Sequence, residues 1–437
     1  MADALGGGKT PTQPKGTMRK NEKEASPWRK AIGPGLLWAG AAIGVSHLVQ
    51  STRAGADYGF GLVGVVLLAH AFKFPFFEFG PRYAASTGQS LLHGYQRMGR
   101  WALWLFFGLS LLTMFSVVAA VTAVTAGILA RVAGSDLPLE HWMLAIWLFS
   151  SVLVVWGKYG LIDKTVKAIV LALSVSAVAA LVGALLHPAP AAAPGGSFGW
   201  TGADLAFLVA FVGWMPSAID ISVWHSAWTL AREEQTGYRP KLRESLADFH
   251  VGYWGTALMA LVFLGLGAVV MHGSGQEFSP NGTAFAGQLI DLFTGGLGAW
   301  AYPVIALAAL ATMLSTALTC LDAYPRVMPL ATRLLFPKVD AWVSPRGLEL
   351  SWLALLVAGS WVLTHFFMTS MRFMVDLATT LSFLTAPVLG FLNLKAVQAE
   401  EVPLENRPSR GLVAFSWLSL AVLGLASLLY IAWWLTA

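Results

Sequence analysis

The residues best placed to do chemistry fall in two short stretches, each inside an apolar run. The first is Gly44-Val45-Ser46-His47, at the middle of a segment that opens Gly33-Pro34-Gly35, ends at Gly59 and also carries Gly40, Gln50, Ser51 and Arg53. The second is Val212-Gly213-Trp214-Met215-Pro216-Ser217, followed by Asp220 and His225. Polar groups in a bilayer are expensive, roughly 2.5–3.5 kcal/mol for a central charge on insertion scales. Unwound backbone persists there only where it lines a cavity enclosed by protein. Two Gly- or Pro-interrupted spans at matching positions of two halves therefore predict a pocket for a transported solute. Gly44, Ser46, His47, Gln50, Val212, Met215 and Ser217 are its candidate lining.

Each candidate has an ordinary alternative. His47 titrates near neutrality when unperturbed, which suits a metal ligand, a proton carrier or a hydrogen-bond partner; a buried histidine bonded to backbone is the plain reading. The Met215 thioether is a soft ligand and, with His47, makes the candidate metal pair. Asp220 is the acid beyond the second break, about 140° from Met215 on a continuous helix. It is a candidate for ion or proton coupling, or else a cap on the second half-helix. Lys73, Glu78 and His225 complete the coupling candidates. Glu78 and Arg82 share a helix face and pair by spacing, whereas Lys73 is expected to seek Asp220, Asp322 or Asp376. Arg53 and Asp57 stand four apart and are expected to pair at an outer gate. Asp322, Asp376 and Thr379 are further gating candidates, with bonding between neighbouring helices as the alternative role for the hydroxyls.

Those residues need a membrane bundle to position them. Of 437 residues, 56% are hydrophobic and 12% charged, about half the charge of a soluble domain. The expectation is an all-α integral membrane protein. Eleven apolar segments are long enough to span at roughly 20 residues each. They are 31–57, 60–86, 101–130, 141–157, 165–187, 205–230, 252–271, 299–327, 349–370, 373–396 and 412–436. Residues 1–30 read as a disordered basic tail, 31–187 as a first repeat of five helices and 188–204 as an external linker. A second, inverted repeat follows at 205–396, then an internal loop and a last helix at 397–437. All but five of the 28 Lys and Arg residues fall on the side of the amino-terminal tail; Arg131 and Arg372 lie opposite, and Arg53, Lys73 and Arg82 lie within spans. The positive-inside rule then places the amino terminus in the cytoplasm and the carboxyl terminus outside, in the plasma or inner membrane. The net charge of +5 thus reports topology rather than nucleic-acid binding. The single cysteine, Cys320, excludes an internal disulfide. No phosphate loop, nucleophile elbow or His-Glu-x-x-His signature is present, so an enzyme is not expected.

Gly33-Pro34-Gly35-Leu36-Leu37 followed by Ala54-Gly55-Ala56-Asp57-Tyr58-Gly59 resembles the opening of the Nramp family of divalent-metal transporters. Val212-Gly213-Trp214-Met215-Pro216 and His225-Ser226-Ala227 resemble its sixth helix. The resemblance implies a LeuT-type fold of five plus five helices with helices 1 and 6 broken, working by alternating access. It also implies a divalent metal as cargo and a proton or sodium as coupling ion, with no resident cofactor. The departures are specific. The family's Asp-Pro-Gly-Asn turn is Gly44-Val45-Ser46-His47 here, and its Met-Pro-His-Asn is Met215-Pro216-Ser217-Ala218. No acid stands between Trp101 and Ala130, where the family carries its proton-handling carboxylates. Three readings follow: a metal transporter; the same machine carrying a small organic solute or chelate, because the carboxylate is gone; or a sensor or scaffold that keeps the fold without transport. The lipid bilayer and a small substrate are the expected partners, nucleic acid is not, and a monomer suffices.

Overall fold

A computed structural model describes residues 31–156, 159–186, 196–279 and 281–436. The expected tail at 1–30 and residues 188–195 of the 188–204 linker lie outside the described residues. Among the described residues the chain is helical, without strands.

The first span is split. Helix α1 (Pro34–Ala42) stops at Ile43-Gly44, a wide π-type turn runs Val45–Ser51, and α2 (Thr52–Tyr58) completes it. Pro34 starts α1 where its missing N–H costs nothing, and the Asp248 carboxylate accepts from Gly33 N at 3.1 Å and Gly35 N at 2.6 Å. Next come α3 (Val63–Thr87), a short α4 (Leu91–Met98), α5 (Arg100–Ala133), α6 (Leu139–Trp156) and α7 (Tyr159–Leu186). The second split span is α8 (Gly202–Gly213), an open stretch at 214–220 and α9 (Ile221–Thr236). Thr201 and Asp204 form a capping box at the start of α8, satisfying two otherwise orphaned donors. The chain closes with α10 (Leu242–Val270), α11 (Gly282–Leu297), α12 (Tyr302–Leu335), α13 (Pro345–Phe367), α14 (Met371–Gln398) and α15 (Arg410–Thr436).

Among the described residues, eight helices are long and apolar enough to cross a membrane: α3, α5, α6, α10, α12, α13, α14 and α15. The expected eleven also counts the two split spans, whose halves are too short for that measure, and α7, of which Leu171–Leu186 is an apolar helical stretch. Two helices were not expected. α4 lies between the second and third spans, and α11 lies within what reads as an external loop. α11 buries Phe285, Leu289, Ile290 and Phe293, a packed face on a 16-residue helix too short for a spanning window.

Burial sorts the helices. The most apolar windows of α5, α10 and α12 are 61–67% buried, whereas those of α6, α13 and α15 are only 22% buried. α10 and α12 pack against the split spans and α5 packs against α12, while the second group presents its apolar surface outward. Apolar surface carries no penalty in lipid, so helix association there rests on close packing and hydrogen bonds. α10 shows how. A Cβ on Gly35 would lie 2.2 Å from Asp248 O, and one on Gly252 would lie 2.2 Å from Gly35 O. Beyond the break, a Cβ on Gly55 would lie 1.9 Å from Leu264 O, and one on Gly267 would lie 2.1 Å from Thr52 O. These two reciprocal glycine pairs press both halves of the first span against one unbroken helix. Trp38 adds a stacked contact to Tyr253 of α10 and edge contacts to Phe77 and Phe249.

Candidate functional site

The two interruptions meet around one small cavity. Ser46 lines it from the first, Ser217 and Asp220 from the second, and Thr316 and Cys320 from α12, with Trp214 and Trp224 among its walls. Its volume is about 30 Å³, room for a water molecule or two, or for one bare ion. Ser46 joins the breaks: its hydroxyl donates to Ala42 O at 2.6 Å and lies 3.2 Å from Pro216 O. Gly44 is small because α12 comes close; a Cβ there would lie 2.7 Å from Thr316 Oγ1. Asp220 is 5% exposed. Its Oδ2 accepts from Tyr324 at 3.2 Å, while Oδ1 has no partner among the described residues. It makes no side-chain cap on α9. A buried carboxylate oxygen without a partner is costly, and the cavity is where a cation would relieve that cost. The available donors are thus one carboxylate, one thiol, three hydroxyls and the carbonyls that the breaks release.

The expected metal pair does not form. His47 is fully buried but lines no part of the cavity. Its Nε2 lies 3.0 Å from Thr256 O on α10, and its Nδ1 lies 2.9 Å from Ala42 O and 2.7 Å from Ser46 Oγ. The wide turn at Val45–Ser51 sets the ring away from the partner break and against α10. Met215 is buried in an apolar cluster with Ala54, Phe211 and Leu264, where its thioether packs instead of facing the cavity. Among the described residues no group of three or more His, Cys, Asp or Glu side chains could hold a metal.

Four further expectations are corrected. Arg53 does not pair with Asp57 in a gate of its own; its guanidinium donates to Asp376 at 3.0 Å and Gln50 at 2.7 Å, and Gln50 donates to Asp376 at 3.3 Å. Gln50 therefore belongs to this cluster and not to the cavity. Asp57 lines a separate hollow of about 450 Å³ with Arg53, Glu277 and Arg372. Lys73 finds none of its three expected acids. Its ammonium donates to the carbonyls of Val212 (2.6 Å), Gly213 (2.8 Å) and Ser217 (3.3 Å), so Val212 acts through its backbone. His225 is buried away from the cavity, 5.9 Å from the Phe249 ring, and neither ring nitrogen has a partner among the described residues.

Other placements agree with spacing. Glu78 and Arg82 form a buried ion pair one turn apart, and Arg82 also donates to Asn406 O at 2.7 Å. Asp322 holds Arg326 through two bonds of 2.8 and 2.7 Å. The Thr379 hydroxyl donates to its own helix at Val375 O, 2.8 Å, while its carbonyl abuts Gly213, where a Cβ would lie 1.9 Å away. Asp248 escaped sequence reasoning. A lone acid entering an apolar run was the available signal, but its partners are backbone amides more than 200 residues away.

Comparison with known proteins fits this geometry. Residues 35–432 match the Nramp family, described as natural resistance-associated macrophage protein-like. An uncharacterised protein of Pasteurella multocida strain Pm70 is 36% identical over 421 residues, 94% of each chain. Among solved structures, the Eremococcus coleocola manganese transporter in complex with an aromatic bis-isothiourea substituted compound superposes with a TM-score of 0.64 at 14% identity, over 93% of this chain and 86% of that one. Mhp1, a nucleobase-cation-symport-1 family transporter in a closed conformation with bromovinylhydantoin bound, gives 0.55 at 17% identity over 92% and 90%. MhsT in complex with L-phenylalanine gives 0.59 at 13% identity over 92% and 97%. Those structures establish the fold, a LeuT-like multi-pass membrane bundle. The match along nearly the whole length establishes the family: this chain is a member of the Nramp-like family of metal-ion transporters.

Proposed function

We propose that the chain is a secondary active transporter whose cargo is a single metal cation, held between its two interrupted helices with Asp220 as the charged ligand. One observation carries this reading: the buried Asp220 carboxylate presents an oxygen without a partner among the described residues at a cavity of about 30 Å³. That volume accepts an ion and is an order of magnitude below the several hundred Å³ of organic-ligand pockets. The carboxylate absent from the first span is replaced by one at the second, and Cys320 adds a soft ligand that favours transition metals over Mg²⁺ and Ca²⁺. A proton or sodium gradient drives the movement. The Arg53–Gln50–Asp376 cluster is the gate at one end, and the Asp248 hold on the start of α1 latches the other. The Lys and Arg bias orients the amino terminus to the cytoplasm of a plasma or inner membrane. The five-plus-five division at 188–204 remains the proposed repeat boundary.

The Gly44–His47 stretch, without a carboxylate, favours a second reading in which the same machine opens around a small organic solute or chelate. Calorimetry on purified protein separates the two. Mn²⁺, Fe²⁺, Cd²⁺ and Mg²⁺ are titrated alongside a panel of amino acids and nucleobases, with liposome uptake in parallel. Heats from Mn²⁺, Fe²⁺ or Cd²⁺ that vanish in Asp220→Asn support the cation. No metal heat, with one organic hit, establishes the alternative. Silence in both binding and uptake favours the third reading, a sensor or scaffold that keeps the fold.

A further inference from the structure

The second interruption holds a cation that belongs to the chain itself. α8 ends at Gly213, and the last carbonyls of any helix lack partners within it and carry its partial negative charge. In a membrane those carbonyls must be satisfied. Here Val212 O, which also accepts from Met215 N at 3.1 Å, Gly213 O and, from the open stretch, Ser217 O converge on one atom, Lys73 Nζ, at 2.6, 2.8 and 3.3 Å. Lys73 is fully buried, and among the described residues no carboxylate pairs with it. An ammonium has three donors and no acceptor, so three carbonyls satisfy it completely. A neutral amine would turn a lone pair towards one of those oxygens. Freed carbonyls at a half-helix C-terminus are also the kind of group that coordinates a small coupling cation.

We propose that the Val212, Gly213 and Ser217 carbonyls form a seat for a monovalent cation, which Lys73 fills with a tethered ammonium. The seat adjoins the Asp220 cavity and shares Ser217 with it, but Lys73 reaches it from α3 and is not among the cavity's lining residues. The chain therefore needs no dissolved alkali cation at this break, and removing the lysine side chain should create a demand for one.

The test is thermal unfolding of the full-length protein in detergent, without any transported metal, in an Asp220→Asn background throughout, so that cation binding at the Asp220 carboxylate does not contribute and the failure of that reading is distinguishable. Lys73→Ala is titrated with ammonium, methylammonium or sodium chloride, against choline chloride at equal ionic strength; choline is too bulky for the seat. A saturable rise of several degrees in Tm with one of the small cations, absent with Lys73 intact and from Lys73→Met, is the expected result. A folded Lys73→Ala that responds to small cations no more than to choline overturns the proposal, as does an equal response with Lys73 intact. If Lys73→Ala does not fold, wild-type protein labelled with ¹⁵N-lysine decides. An exchange-protected NH₃ quartet at neutral pH supports the seat; an NH₂ triplet, or no protected signal, overturns it.

Discussion

The two interrupted spans face the same difficulty, freed carbonyls inside a membrane protein, and meet it with different chemistry. The first barely unwinds. It pauses at Ile43-Gly44 and re-forms as a wide turn, and its loose groups are taken up locally by Ser46 and His47, with Thr256 O of α10 as the outside anchor. The second opens fully across 214–220, and its loose groups are gathered by one charged side chain from another helix. The lesson concerns division of labour. At the first break the ionisable residue is structural, and the cavity receives only the Ser46 hydroxyl. At the second, one carboxylate oxygen of Asp220 is left without a partner among the described residues, the other accepts from Tyr324, and the structural duty passes to Lys73.

Substitutions that exchange these duties would break the comparison. The largest expected effect is Asp220→Asn. It keeps the shape and removes the charge, and should abolish metal uptake and lower affinity by about 100-fold or more, on the scale of lost charged hydrogen-bond partners. Calorimetry with Cd²⁺ that finds affinity within threefold of wild type would show that the cargo lies elsewhere. His47→Ala is the counterpart at the first break. It should destabilise by about 1–3 kcal/mol through the unpaired Thr256 carbonyl, while affinity in the fraction that folds stays within a few-fold. Strong loss of binding with unchanged unfolding would return His47 to the site.

Packing beside each break provides a third comparison. Gly213→Ala sets a Cβ 1.9 Å from Thr379 O and should cost about 1–3 kcal/mol by overpacking. Gly255→Ala on α10, where nothing lies within 4 Å, should be neutral or slightly stabilising, as glycine costs a helix roughly 1 kcal/mol. Equal unfolding temperatures for the two variants would contradict the packing described at the second break. The smallest effect belongs to Asp376→Asn. The Asp376 side chain is 35% exposed, so its attraction for Arg53 is screened and worth roughly 1 kcal/mol or less. Uptake rates should change severalfold, with unfolding nearly unmoved.

Sequence reasoning reached what is local. Gly33-Pro34-Gly35, Gly44 and Pro216 mark the interruptions because each removes a donor or permits an approach that other residues forbid. The Glu78–Arg82 pair follows from helical spacing alone. It failed where the partner is distant or where the helix is irregular. Arg53 has Asp57 one turn away but meets Asp376, 323 positions along the chain, because the bundle brings α14 against the first span. His47 counts into the pocket on a regular helix, and the wide turn carries it out. Lys73 was expected to seek acids because charge pairing is the familiar remedy; released backbone carbonyls leave no trace in a sequence.

The lone cysteine gives the molecule a built-in clock. Cys320 is the chain's single thiol, is buried and borders the hollow between the interruptions. A small thiol-reactive compound can modify the unaltered protein at no other point and must wait until the walls part. In the proposed transport cycle, the pace of that reaction, followed with reagent supplied to one face of a sealed vesicle and then to the other, counts the openings towards each side.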